Sequence, residues 1–426
     1  MRINTVVKIL CLIGLGITFS FCTDKNIEDS PGPAEIPVKI NLDHFHHLYH
    51  EIQVDEDTLG IVHIYSEYPD YEYAIEPREG YTCVDDVARS IVMLSEYLDK
   101  FPEENGSPEI KGMIQKMVSF LLHMQNENGY FNNFMWNDYR INTTYRTTVA
   151  ELNWWSIRAL WALETAYPLL GNDPGIQEQI EKSTEILVEN FKRDLLDLPV
   201  GYDTMNTIII PTWLPNQYAA DQSGVLILGL LPYYHRTADG NSLQLIRKLA
   251  DGIMEMQKGD SLNFPYNAFL SWGNIWHAWG NSQAYALLKA GNELGDSVLI
   301  TSGLKEVDHF YPYLLENGHR SAFWIEMEGD GFAESKREEF ARIAYGIRPM
   351  AWAAMEAYAI TGELKYKKRA VDLASWFLGN NITGIKMYDE GSGRGYDGII
   401  SPDEINRNAG AESTIECLLT LLRTYH

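Results

Sequence analysis

Four short stretches carry residue types able to move protons or to hold a polyhydroxylated ligand. The first is Gly80-Tyr81-Thr82-Cys83-Val84-Asp85-Asp86-Val87-Ala88-Arg89. Two adjacent carboxylates open a helical pattern, and Arg89 follows about one turn on. Asp85 and Asp86 either cap and ion-pair at a helix N-terminus, where the dipole favours negative charge, or serve as an acid or base at a ring mouth. The second runs from Asn132-Asn133-Phe134-Met135 to Glu151-Leu152-Asn153-Trp154-Trp155-Ser156-Ile157-Arg158. Helical spacing puts Glu151, Trp154, Trp155 and Arg158 on one side. A carboxyl flanked by indoles is poorly solvated, so its pKa rises, which suits a general acid. The alternative is a buried Glu151–Arg158 pair.

The third stretch is Ser271-Trp272-Gly273-Asn274-Ile275-Trp276-His277-Ala278-Trp279-Gly280-Asn281-Ser282-Gln283. Indoles interleaved with amides suit sugars, whose apolar ring faces lie on aromatics while their hydroxyls meet amides. Trp272, Trp276, His277 and Asn281 are the candidates here, with His277 as a hydrogen-bond donor rather than a metal ligand. The fourth gathers Tyr396-Asp397-Gly398 and Asn406-Arg407-Asn408-Ala409-Gly410-Ala411-Glu412-Ser413-Thr414. Asp397 and Glu412 are its carboxylates and Asn406 and Asn408 its amides. Glu412 also fits simple N-terminal capping. No C-x-x-C, H-E-x-x-H, Walker or dinucleotide fingerprint occurs, so neither a metal nor a cofactor is expected.

These stretches need elements to position them. Helical periodicity covers 85–101, 108–124, 149–167, 176–191, 218–234, 243–256, 282–294, 296–315, 340–360, 364–378 and 411–425, with a weak strand signal at 59–65. A unit recurs where alternate helices stop: Asn128-Gly129 before Phe131, Gly259 before Phe264, Gly318 before Phe323-Trp324, and Gly379 before Met387-Tyr388. Each is a helix stop followed by an aromatic-rich loop. A recurring helix–loop–helix unit without strong strands between copies predicts an all-α ring of helix hairpins, an (α/α)6 toroid, rather than an open solenoid.

Length and composition agree. The 426 residues are 45% hydrophobic and 12% aromatic, with 11 Trp and 25 Tyr, enough for one large core. The net charge of −25 repels phosphate backbones, which argues against nucleic acid as a partner. Residues 1–21 read as an export signal: Arg2 and Lys8 precede an apolar run, Ile9 to Phe21, too short to span a bilayer. Cys22 follows directly and reads as a lipidated first residue, with 22–37 as tether and 38–426 as the toroid domain. The expected location is the cell envelope of a Gram-negative bacterium, with contact to the membrane through that lipid alone. Changing Cys22 to Ser is expected to move the protein from the membrane fraction to the soluble one. Cys83 and Cys417 remain as a pair that sequence neither joins nor separates.

Tyr81-x-Cys83-x-Asp85-Asp86-x-Ala88-Arg89 resembles the C-T-D-D-N-A-R motif of bacterial (α/α)6-toroid proteins of the glycosidase-like type, often found beside or fused to glycosyltransferases. The resemblance continues through Phe131-x-Asn133-Phe134-Met135, Arg158-Ala159-Leu160-Trp161-Ala162-Leu163 and Tyr396-Asp397-Gly398. It ends on Asn406-Arg407-Asn408-Ala409-Gly410-Ala411-Glu412-Ser413-Thr414, its most specific segment. Val84 and Val87 replace the family's Thr and Asn. The family's acidic pair before R-A-L-W is replaced by Asn153-Trp154, with Glu151 slightly upstream. The resemblance implies a toroid with a sugar-related function. A glycoside hydrolase on an oligo- or polysaccharide is expected, with Glu151 as acid and Asp86 or Asp397 as base. Asp85 and Glu412 are further carboxylate candidates; Arg89, Asn133 and Trp154 are candidates for binding. A lyase or epimerase would instead draw on Tyr345, Arg348 and His277, and a surface glycan-binding lipoprotein would need only the Trp rim.

Overall fold

The computed structural model describes residues 38–102 and 106–425; the expected export signal (1–21) and tether (22–37) lie outside the described residues. In chain order the helices are α1 (Asp43–Leu48), α2 (Val84–Lys100), α3 (Ser107–Met124), α4 (Trp154–Ala166), α5 (Pro174–Leu195), α6 (Ala220–Thr237) and α7 (Gly240–Glu255). Then follow α8 (Gln283–Leu294), α9 (Ser297–Lys305), α10 (Tyr311–Asn317), α11 (Arg348–Thr361), α12 (Leu364–Ala374) and α13 (Ala411–Tyr425).

Helix contacts close a ring. α2 packs on α4, α4 on α6, α6 on α8, α8 on α11, α11 on α13, and α13 returns to α2. An open solenoid would leave its first and last helices apart, so this is an (α/α)6 toroid. Its inner helices are buried nearly all round: every residue of α6 from Ala220 to Leu231 is buried. The outer helices are amphipathic instead. On α7, Leu245, Ile246, Leu249, Ala250 and Ile253 form one buried stripe. Each Leu and Ile of the stripe contributes roughly 1.5–3 kcal/mol on leaving water. Asp173, Asp239 and Asp296 cap the outer helices α5, α7 and α9 by accepting backbone N–H groups. On the remaining outer side, α1 packs on α13, and the hairpin Tyr49–Val54/Asp57–Val62 packs on α3. The recurrent stop glycines Gly129, Gly259, Gly318 and Gly379 all take positive φ, as helix stops of this kind require.

Two expected helices begin later than their periodicity suggests. The stretch from 149 is loop until Trp154, and the stretch from 340 holds a short strand, Arg342–Ile343, and a 3-10 turn before α11. α1 escaped the periodicity because it spans only six residues. The connections are richer in strand than expected: Ala322–Glu328 and Gly331–Glu338 pair as a long hairpin that also takes up Ile275–His277. Cys83 and Cys417 are buried free thiols, not a disulfide.

A π-turn, Glu306–Phe310, joins α9 to α10. The Glu306 side chain is fully buried and accepts the Phe269 N–H at 2.8 Å and the Tyr311 hydroxyl at 3.2 Å. Burial raises its pKa from 4.5 to about 8 against both hydrogen bonds. The folded state then holds a proton that the unfolded chain releases near 4.5. Stability is therefore lost as pH rises from about 4.5 and levels off above about 8. Glu306→Gln keeps an acceptor for Phe269 and removes this slope. It is expected to raise the unfolding free energy at pH ~8.5 by an amount on the order of a few kcal/mol, read as a higher melting temperature, and to change it little at pH ~5.

Candidate active site

The inner helices start at one mouth of the ring, around a cavity of about 600 Å³. Its wall includes Asp85, Asp86 and Arg89 from α2, Asn133 and Phe134 from the next connection, and Trp154, Trp155 and Arg158 from α4. Trp279 precedes α8 and Tyr345 precedes α11; Asp397, Asn406, Asn408, Glu412 and Ser413 surround the start of α13. Asp85, Asp86 and Glu412 all sit in the first turn of their helices, where the helix dipole stabilises negative charge.

Cys83 caps α2. Its sulfur accepts the Asp86 N–H at 3.4 Å and its thiol reaches the Asp86 carboxylate at 3.3 Å. The Asp86 side chain, only 4% exposed, takes Nη1 of Arg89 at 2.8 Å. The same guanidinium gives Nη2 to Glu412 at 2.7 Å, and its Nε lies 3.2 Å from the buried Glu416. Glu416 is shared with Arg348 at 2.7 Å. A second ion pair stands beside this network. Arg158 Nη1 lies 2.6 Å from Asp85 and Nη2 donates to the Tyr345 hydroxyl at 2.9 Å. Asn133 fixes Asp85 from the other side, donating to its carboxylate and accepting its N–H, both at 3.2 Å. Arg158 lies over the Trp154 ring and Arg89 over the Tyr345 ring, each at 4.8 Å. Asp397 accepts the Ser413 hydroxyl at 2.7 Å, Asn406 Nδ2 at 3.2 Å and the Gly410 N–H at 3.4 Å.

Three of these carboxyls have raised pKa values, in each case first because burial disfavours the charge. For Asp86 the neighbouring Asp85 adds to the rise and Arg89 opposes it. For Glu412, Asp86 and Glu416 add and Arg89 again opposes. For Asp397 the Ser413 and Gly410 hydrogen bonds oppose. The Glu412 side chain is 41% exposed, but it lines the cavity, so it is reachable while still poorly solvated.

The first, second and fourth stretches thus meet at one mouth, Asp86 and Asn408 in the same wall. Other expected placements are corrected. Glu151 is exposed in the loop before α4, hydrogen-bonded to Asn153 and outside the cavity wall, so it lacks the apolar setting expected for an acid. Arg158 pairs with Asp85 of the neighbouring inner helix rather than with Glu151. Trp276 is core, stacked on Phe323 at 5.2 Å. His277 is buried against Asp221 at 3.1 Å and stacks behind Trp279 at 3.9 Å, so Trp279 alone of its stretch reaches the cavity wall. Asn281 and Arg348 are buried outside that wall, and Trp272 is exposed beyond it. Sequence reasoning did not single out Trp279, Glu416, or the Tyr65–Glu79 pair, joined at 2.8 Å in the wall. Glu416 lies one helical turn after Glu412, a spacing that would have found it; Tyr65 and Glu79 offered no signal. Among the described residues no group of three His, Cys, Asp or Glu side chains is placed to hold a metal ion.

No protein-family model matches the sequence, and no curated protein matches it either. Solved structures do match in fold. A sugar epimerase from a ruminal bacterium superposes with TM-score 0.60 at 13% identity, over 87% of this chain and 93% of that one. A family 76 glycoside hydrolase from a bovine Bacteroides thetaiotaomicron strain gives 0.57 at 9%, over 88% and 75%. A cellobiose 2-epimerase from Spirochaeta thermophila gives 0.57 at 11%, over 84% and 92%. At these identities the likeness is one of fold.

Proposed function

We propose that the protein is a sugar-active enzyme, a glycoside hydrolase acting on an oligo- or polysaccharide. The observation that carries this reading is the cavity itself: a reachable carboxyl with a raised pKa, Glu412, shares a wall with the ion-paired Asp85 and with indole faces. Glu412 would protonate the leaving oxygen. Asp85, held by Arg158 and Asn133, would activate water or attack the sugar carbon. Asp397 and Asn406 would take hydroxyls, and Trp154 and Trp279 the apolar sugar faces. Asp86, nearly closed off, would position Arg89 and through it Glu412. Solved structures that share the fold include a glycoside hydrolase and epimerases, which supports sugar chemistry as the class.

Epimerisation is the second reading, favoured by the Tyr345 hydroxyl that Arg158 presents in the same wall. A panel of neutral glycans incubated in deuterium oxide separates the two. New reducing ends support hydrolysis; deuterium at a sugar carbon without cleavage supports epimerisation; neither, with binding retained, supports a glycan-binding protein. We also propose the cell envelope as its location, through lipidation at Cys22, for which the membrane fractionation of the Cys22→Ser variant is the test.

A further inference from the structure

From the rim we infer a second sugar subsite, centred on Trp272 and outside the cavity, so that the substrate is an uncharged glycan chain longer than the cavity holds. This rests on the sugar-active reading and specifies the substrate class. Trp272 is 42% exposed and takes no part in the hydrophobic core, while Trp276, four residues on, is wholly buried. A large indole left this exposed adds less to the core than a buried one, yet it is held firmly. Its backbone pairs with Ala219 and, across a tight turn, with Ile275. Gly273 in that turn has φ +56, and a Cβ there would strike Met205 Sδ at 2.6 Å. Tyr218 packs edge-on to the indole at 5.6 Å, its hydroxyl fixed by Asp203 at 2.8 Å.

An amide strip joins this pair to the cavity. Trp154, in the cavity wall, donates its N–H to Asn153 Oδ1 at 2.9 Å. Gln222 Nε2 donates to the same oxygen at 3.5 Å, and Gln222 Oε1 accepts from Asn216 Nδ2 at 2.9 Å. Asn216 and Gln217 are exposed beside Tyr218. Aromatic rings at both ends with amides between them match a chain of sugar rings, apolar faces on indole and hydroxyls on amides. The Ser271 carbonyl accepts the Asp221 N–H at 3.2 Å, which seats the turn on the start of α6, at the mouth end of the ring. Among the described residues no Lys or Arg side chain hydrogen-bonds to Asn153, Asn216, Tyr218, Gln222 or Trp272. Asp203 adds a carboxylate, and Arg158, over the Trp154 ring at the cavity end, is already paired with Asp85, a balance that favours an uncharged chain.

Binding of cello- and manno-oligosaccharides, from disaccharide to hexasaccharide, is measured by calorimetry on the full protein. For the series that binds, wild type is expected to hold the hexasaccharide more tightly than the disaccharide. Trp272→Ala is expected to lower that affinity ratio about tenfold, and Trp272→Phe by less. Trp154→Ala, at the cavity, is expected to weaken both lengths together. Equal wild-type affinity at all lengths, or a ratio unchanged in Trp272→Ala with its melting temperature intact, overturns the subsite and leaves the cavity reading standing. A wild type that binds no member of either series overturns both.

Discussion

Glu412→Gln is expected to lower kcat by roughly 10²–10⁴-fold while sugar binding stays close to wild type. The amide keeps the shape of the side chain and can still meet Arg89's cavity face, but it has no proton to give. The raised pKa of Glu412 makes the prediction sharper. A catalytic acid works only while protonated, so activity should fall as pH rises through a value above the ordinary carboxylate range. The alkaline limb of the kcat/KM profile therefore reports Glu412 in wild type and is lost in the variant. The same change at Glu151, in the exposed loop, is the control. A loss of similar size there, with none at Glu412, would return the acid to the position that periodicity alone suggests.

Arg89→Met is expected to destabilise the fold by about 3–5 kcal/mol, because it removes one partner of a buried charge network. One guanidinium serves Asp86 at 2.8 Å, Glu412 at 2.7 Å and Glu416 at 3.2 Å. Asp86 and Glu416 are almost wholly buried and would be left crowded and charged, although Glu416 keeps Arg348. The Glu412 arm, 41% exposed at the cavity, contributes least. Without Arg89 the carboxyls bind protons more readily when folded, so the loss should shrink as pH falls from neutral toward 5. Unfolding measured at two pH values checks this; an equal loss at both would mean that packing on the Tyr345 ring, not charge, is what Arg89 supplies.

Much of the ring was legible because its cause is periodic. Apolar spacing marks the helices, and the stop glycines mark where pairs turn. Asp85, Asp86 and Glu412 meet because they open inner helices, and inner helices start at one mouth; that follows from topology once the ring is recognised. Glu151 failed for a local reason. Periodicity runs back to Val149, but the Asn153 side chain accepts the Trp154 N–H and the helix begins there, leaving Glu151 in solvent. The Trp-rich stretch is split for another reason. It is a turn and a strand, and the pairing of Ile275–His277 with Ala322–Trp324 sends Trp276 inward while the turn leaves Trp272 out. Arg158 shows the limit of reading along a chain: its partner Asp85 lies 73 residues away, on the neighbouring inner helix.

The closure of α13 onto α2 also sets an order of events in time. Arg89 and Glu412 are 323 residues apart, and their bond joins the second helix to the last of those described. Contacts of such sequence separation form late, because a long loop must be closed before they repay its entropy. A nascent chain can stack its early hairpins one on another and pair Arg89 with Asp86 on the same helix, yet the cavity wall stays incomplete, and Arg89 lacks Glu412 and Glu416, until α13 arrives. The ring and the cavity wall with its Arg89–Glu412 pair are therefore finished in the same step.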